Sequence, residues 1–186
     1  HDLYQKLEVA PVIAAIKSEE ELTAALLTEV EVIFVLQSHL MQLAELSEKI
    51  KQSGKIAILH ADLVKGLSSD EMAIDYNKQK TAFDGIISTK SAIVRYAKRH
   101  QLLAIQRLFL LDSSALTNVE RQLLQTEADL VEVLPNVSPK IIKGLVKQSR
   151  KPLIVGGLVH DKEDVLGALG AGSLAVSTTD SQVWSI

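Results

Sequence analysis

A chain of 186 residues, 47% of them apolar and 23% charged, is long enough for one domain with a full-sized core. A net charge of −3 excludes the whole-domain basic signature of a general nucleic-acid binder, so any such contact must use a local patch. The absence of cysteine excludes disulfides and thiolate metal sites and points to a reducing compartment.

No apolar run approaches the roughly 18 residues of a membrane-spanning helix. The opening residues His1-Asp2-Leu3-Tyr4-Gln5 lack a basic segment followed by an apolar one, which argues against a secretory leader. His1 reads as the remnant of a tag or of a longer start. The expectation is a single cytoplasmic domain over residues 1–186, with no membrane partner.

Taken along the chain, short β-branched runs alternate with longer helical patterns. The runs are Val12–Ile16, Val32–Leu36, Ile56–His60, Gly85–Ser88, Leu102–Arg107, Leu130–Leu134, Leu153–Gly156 and Leu174–Ser177. Ser18-Glu19-Glu20-Glu21 and Ser68-Ser69-Asp70-Glu71 read as capping boxes, and Ser138-Pro139 as an N-cap with proline in the first helical position. Gly54 and Gly170 read as stops after Leu40–Gln52 and Glu163–Leu169. Repeated strand–helix alternation implies parallel strands joined by right-handed crossovers, and eight such units can close. The predicted fold is therefore α/β, a compact (β/α)8 barrel of the TIM type. Its rival is an open doubly wound sheet, disfavoured because no GxGxxG follows the first strand.

Ligands of such barrels bind where the strands end. Gly156 and Gly157 end the seventh strand, and Ser177, Thr178 and Thr179 the eighth. Glycine lets an anion approach backbone N–H groups closely, and loops at these two strands often hold phosphate. Gly156, Gly157, Ser177 and Thr178 are thus the candidate phosphate site, with a tight turn and a helix cap as the plain alternative. A short helix after Thr179 would point its positive end inward. Arg107 ends a buried run and needs an anionic partner: Glu132, Asp112 or a ligand. His60 and Asp62, two apart, would lie on one side of an extended segment as an acid–base pair or a polar layer closing the mouth. Ser88 ends the fourth strand. No third close ligand stands near His60 and Asp62, so no metal is expected. Two basic sets follow helical spacing: Lys140, Lys143, Lys147 and Arg150, and then Arg95, Lys98 and Arg99. Either could contact RNA phosphates or be an ordinary solvated face.

At these strand ends the chain resembles the glycerol uptake operon antiterminator regulatory proteins. The resemblance is carried by His60-Ala61-Asp62-Leu63-Val64-Lys65-Gly66-Leu67, Asp84-Gly85-Ile86-Ile87-Ser88-Thr89-Lys90 and Ala104-Ile105-Gln106-Arg107-Leu108-Phe109-Leu110-Leu111-Asp112-Ser113. It continues in Val131-Glu132-Val133-Leu134-Pro135 and Ile154-Val155-Gly156-Gly157-Leu158-Val159, running from about Val12 to Trp184. The stretches Asp75–Thr81 and Thr117–Thr126 depart from the pattern. The resemblance implies a (β/α) barrel that binds the effector glycerol 3-phosphate and then acts on the leader of a glycerol-metabolism messenger RNA, preventing premature termination. It implies that Gly156, Gly157, Ser177 and Thr178 hold the phosphate, and that His60, Asp62, Arg107, Glu132 and Ser88 face the polyol. It implies a transcription regulator with no cofactor. The competing reading is an isomerase, lyase or synthase acting on a triose or sugar phosphate, for which the same barrel would serve. Exposed apolar residues on short helices leave room for a homo-oligomer.

Overall fold

The computed structural model of the chain describes residues 2–186, so the reading of His1 lies outside the described residues. In chain order the helices are α1 (Asp2–Val9), α2 (Glu19–Leu26), α3 (Leu43–Gln52), α4 (Glu71–Lys80), α5 (Ser91–Arg99), α6 (Ser113–Gln125), α7 (Pro139–Gln148) and α8 (Lys162–Gly170). The strands are β1 (Val12–Ile16), β2 (Val32–Val35), β3 (Ser38–His39), β4 (Ile56–His60), β5 (Val64–Lys65), β6 (Gly85–Ser88), β7 (Leu103–Phe109), β8 (Leu130–Leu134), β9 (Leu153–Gly156) and β10 (Ala175–Thr178). Eight of them close into a parallel barrel in the order β1-β10-β9-β8-β7-β6-β4-β2, and β3 and β5 form a separate two-stranded sheet. This is the (β/α)8 barrel that the alternation predicts. The seam is an ordinary parallel pairing, Val12↔Val176 through Ala14↔Thr178. A 3-10 turn, Val183–Ser185, follows β10 and buries Trp184, whose Nε1 donates to Thr178 O at 2.8 Å.

Period-two side-chain alternation sorts the strand residues into two layers. Ile13, Ala15, Phe34, Ile58, Ile87, Ile105 and Ile154 form the interior cluster. Their neighbours Ala14, Ile16, Ile33, Val35, Ala57 and Leu59 pack outward against Leu22 of α2 and Leu43, Leu46 and Ile50 of α3. Helix α1, unforeseen in the sequence, sends Leu3 and Leu7 into the interior cluster beside Val32, Ile56 and Leu130, the first residues of their strands. It therefore plugs the floor and leaves the opposite end as the mouth.

Two aspartates brace the floor. Asp84 receives Ala57 N–H at 2.8 Å and the Lys51 ammonium at 2.8 Å. Asp129 receives Ala104 N–H at 2.9 Å and the Lys98 ammonium at 2.7 Å. Each ties a strand start to its neighbour's backbone. Beside Asp84, Gly85 packs so tightly on β7 that a Cβ there would fall on the Leu103 carbonyl and side chain. Gly85→Ala is expected to destabilise the fold by about 1–3 kcal/mol, as overpacked cores do. Urea unfolding checks this, and an unmoved midpoint would mean that β6 and β7 separate at no cost.

Local signals were met in part. Ser138 caps α7 with Pro139 in its first turn. Ser18 caps α2 by accepting from Glu21 N at 3.1 Å, but the Glu21 carboxylate takes Lys17 N at 2.6 Å, so the reciprocal bond of the box is displaced by one residue. The cap of α4 is Asp70, not Ser68: its carboxylate accepts from Met72 N at 2.9 Å. Gly170 lies inside α8, and the left-handed residue that turns the chain is Gly172, at φ +107°.

Candidate functional site

The interior layer turns polar at the mouth. Continuing the inward alternation of each strand reaches His60 on β4, Arg107 on β7, Glu132 on β8, Gly156 on β9 and Ser177 on β10. Register sets Arg107 directly opposite Glu132, and Arg107 Nε donates to Glu132 Oε1 at 2.7 Å. The Glu132 side chain is 0% exposed and that of Arg107 11%. A buried carboxylate needs both oxygens satisfied, and Ser177 Oγ donates to Oε2 at 2.5 Å. That bond passes over β9: a Cβ at Gly156 would come within 2.6 Å of Ser177 Oγ and 2.9 Å of Glu132 Oε2. Glycine stands at 156 because the bridge leaves no room for a side chain.

Above the bridge lies a niche of about 130 Å³ whose wall includes Lys17, Arg107, Gly157, Leu158, Ser177 and Thr179. Gly157 turns the chain at φ +69°, a left-handed conformation that glycine adopts most readily. Four predicted residues thus meet here: Gly156 and Ser177 in the floor, Gly157 and Thr178 in the wall. The hydroxyls, however, are engaged within the protein. Ser177 serves Glu132, while Thr178 Oγ1 donates to Val159 O at 2.7 Å and accepts from Asp180 N at 3.0 Å. Positive charge comes instead from Arg107, whose Nη groups are uncommitted among the described residues, and from Lys17, which makes no ion pair there. Sequence reasoning missed Lys17. Its signal was parity, since it continues the inward series Ile13, Ala15 by one step. The 3-10 turn begins only at Val183, so no helix end points at the niche from Thr179.

His60 and Asp62 are near enough for their charges to act on each other, but no hydrogen bond joins them among the described residues. β4 ends at His60, and the chain then turns Asp62 towards the end of β6. There Asp62 receives Ser88 Oγ at 2.7 Å, Thr89 N at 2.9 Å, Thr89 Oγ1 at 2.8 Å and Ser69 Oγ at 3.1 Å. Burial pushes its carboxyl up, but the bonds from Ser88 and Thr89 outweigh this and hold it below the ordinary 3.8. Ser88 is committed to Asp62 and to Lys90 N–H at 3.0 Å, so it fastens the rim loops together. His60 is 3% exposed and its Nδ1 has no partner. Burial, and then the Arg107 charge, lower its pKa from the ordinary 6.5. The neutral ring is thus favoured, with one nitrogen free for a ligand hydroxyl.

The sign of the pH effect follows from that shift. A depressed imidazole leaves the unfolded chain binding more protons just below pH 6.5, so stability is full above that value and falls as pH drops towards the folded pKa. Asp62 titrates only below 3.8 and is silent in this window. Unfolding midpoints should fall between pH 7 and 5 in the parent and less in His60→Gln. Equal slopes would remove His60 as the cause.

The basic residues stand elsewhere. Lys140, Lys143, Lys147 and Arg150 are exposed along and just beyond α7 and make no ion pair among the described residues. On α5, Arg95 and Arg99 are exposed, but Lys98 is spent on Asp129. Among the described residues no group of three or more His, Asp or Glu is placed to hold a metal ion, and no helix is long and apolar enough to cross a membrane.

Comparison with known proteins agrees with this architecture. The chain is 39% identical over 184 residues to the uncharacterized Escherichia coli protein YgcP, covering 99% of this chain and 96% of that one. The crystal structure of the glycerol uptake operon antiterminator regulatory protein from Listeria monocytogenes superposes with a TM-score of 0.88 at 34% identity, over 93% of this chain and 94% of that one. A glycerol uptake operon antiterminator-related protein from Thermotoga maritima gives 0.79 at 31%, over 93% and 96%. With residues 12–184 matching the family as a whole, the chain belongs to the glycerol-3-phosphate responsive antiterminators.

Proposed function

We propose that the chain is a cytoplasmic sensor of glycerol 3-phosphate, holding the effector at the barrel mouth, and that the loaded form binds the leader of a glycerol-metabolism messenger RNA and prevents premature termination. The observation that carries the effector site is the niche itself. Its volume of about 130 Å³ suits a three-carbon phosphate ester, and it sets the Arg107 guanidinium and the unpaired Lys17 beside the open turn at Gly157. The phosphate lies against those groups, and the hydroxyls reach towards His60 Nδ1. Asp62 and Ser88 act one step back, by fixing the loops after β4 and β6. Both oxygens of Glu132 and all the bonds of Asp62 are occupied within the protein, which fits binding better than proton transfer by an isomerase, lyase or synthase.

The face of α7, with Arg150 just beyond it, is the candidate RNA surface, because among the described residues its cations are free of carboxylates. Binding of a labelled leader RNA, with and without glycerol 3-phosphate and across salt concentrations, tests the whole reading. Effector-dependent affinity is expected. Lys143→Glu with Lys147→Glu should weaken RNA binding and flatten the log–log salt slope by about 2, roughly one unit for each phosphate left without its lysine, with effector affinity kept. RNA affinity that ignores the effector, or turnover of glycerol 3-phosphate, would contradict the sensor.

A further inference from the structure

Beside the niche the mouth opens into a second cavity, of about 580 Å³, and Lys17 lines both. Its walls are the loops after β2 and β4, tied to one another by the β3–β5 pairing, Ser38↔Val64 and His39↔Lys65. The niche already matches a three-carbon phosphate ester. The second space is several times larger and falls within the range of about 300–1,000 Å³ of pockets that hold whole organic ligands.

Its hydrogen-bonding groups are unbalanced. Among the described residues the exposed Lys17 and Lys65 line it without an ion pair, and the Gln37 amide lines it without a hydrogen bond. Ser38, only 8% exposed, leaves its hydroxyl with no partner. A buried hydroxyl without a partner is rare, because folding takes it from water and returns nothing. The carboxylate in the wall, Asp62, is saturated by its own bonds to Ser69, Ser88 and Thr89. Two ammonium groups facing a saturated carboxylate, with an amide and a hydroxyl that can each donate, favour an anionic ligand rich in acceptor atoms.

We propose that this cavity binds a second phosphate group, carried on a nucleotide-sized organic moiety, alongside the effector. Lys17 lies between the two anions, and Lys65 and Ser38 serve the second alone. The inference rests on the niche being the effector's phosphate site. The chemistry is that of a nucleotide, and it can come from a free mononucleotide or from one unit of an RNA strand. In the second case effector and RNA would meet directly across Lys17.

The test is calorimetry on the full chain saturated with glycerol 3-phosphate, titrated with adenosine 5′-monophosphate and, separately, with a single-stranded tetraribonucleotide. One site per chain is expected. Binding of both titrants identifies a free nucleotide as sufficient, and binding of the tetranucleotide alone identifies the strand. Lys65→Gln should weaken the second event by about tenfold. Ser38→Ala, which removes a hydroxyl no protein group uses, should weaken it several-fold. Neither should change glycerol 3-phosphate affinity by more than about twofold. The proposal is overturned if neither titrant binds, if either displaces glycerol 3-phosphate, or if both variants bind as the parent does. Failure of glycerol 3-phosphate itself to bind would bring down the proposed function and this inference together. Failure of the second titration alone brings down only the inference.

Discussion

Arg107→Met is expected to cost about 3–5 kcal/mol of folding stability at pH 7, the range for removing one partner of a buried ion pair. Glu132 is fully buried, and among the described residues Arg107 supplies its only cationic contact, at 2.7 Å. The remaining bond, from Ser177, is too little to hold an ionised carboxylate inside a barrel lined with isoleucine. Methionine keeps most of the apolar stem, so lost packing contributes little. The double variant Arg107→Met with Glu132→Gln removes the stranded charge and still offers Ser177 an acceptor, so it should recover most of the loss. Urea unfolding with m-values compared across the set measures this. A single variant within about 1 kcal/mol of the parent would mean that Glu132 loses its partner at little cost, and the account of the polar floor would fail.

Gly157→Asp should lower glycerol 3-phosphate affinity by two decades or more and leave the fold standing. The space is there: a Cβ at 157 meets Leu134 and Pro135 only at ordinary contact distance, 3.7 Å and beyond. The φ of +69° is one that Asp and Asn tolerate better than other side chains. What the variant adds is a negative charge at the wall of the proposed anion site. Like charges set together in a binding site cost several kcal/mol, and each 1.4 kcal/mol is about tenfold in affinity. Gly157→Asn carries the same bulk and backbone cost without the charge, so it should retain much of the binding. Equal losses in both variants would assign the effect to shape, and no loss in either would remove phosphate from this wall.

Much of this architecture was readable because the barrel's chemistry is periodic. The runs at Ile56–His60, Gly85–Ser88 and Leu130–Leu134 are strands with the predicted bounds, since each is mostly apolar on both faces and begins directly after a charged residue, Lys55, Asp84 or Asp129. β7 runs two residues past Arg107 because its ladder continues to Phe109↔Leu134, and ladder length depends on a partner strand that local sequence does not show. Helix α1 offers only Leu3 and Leu7, one helical pair in eight residues, too weak a pattern to distinguish from chance. The β3–β5 sheet joins segments 26 residues apart, beyond any local signal.

The residues gathered at the mouth were legible by type and less so by their contacts. Arg107, Glu132 and Gly157 stand out in the sequence because charge at the end of a buried strand and paired glycines are uncommon. Parity could have refined the rest. Ser177 and Thr178 are adjacent, so they lie on opposite faces of β10, and only Ser177 lies in the interior series. His60 and Asp62 would share a side only if the strand continued, whereas the chain turns after His60. That Ser88 serves Asp62 is a tertiary fact, made by the β4–β6 pairing.

The most direct measurement is calorimetric titration of the protein with glycerol 3-phosphate, with glycerol and inorganic phosphate as controls. Binding of the ester at one site per chain, with both fragments far weaker, is the predicted result, because the proposed site would engage phosphate through Arg107 and Lys17 and needs the carbon skeleton to bring the hydroxyls to the mouth. No binding of the ester, or inorganic phosphate binding as tightly as the ester, would contradict an effector site at the mouth of this barrel.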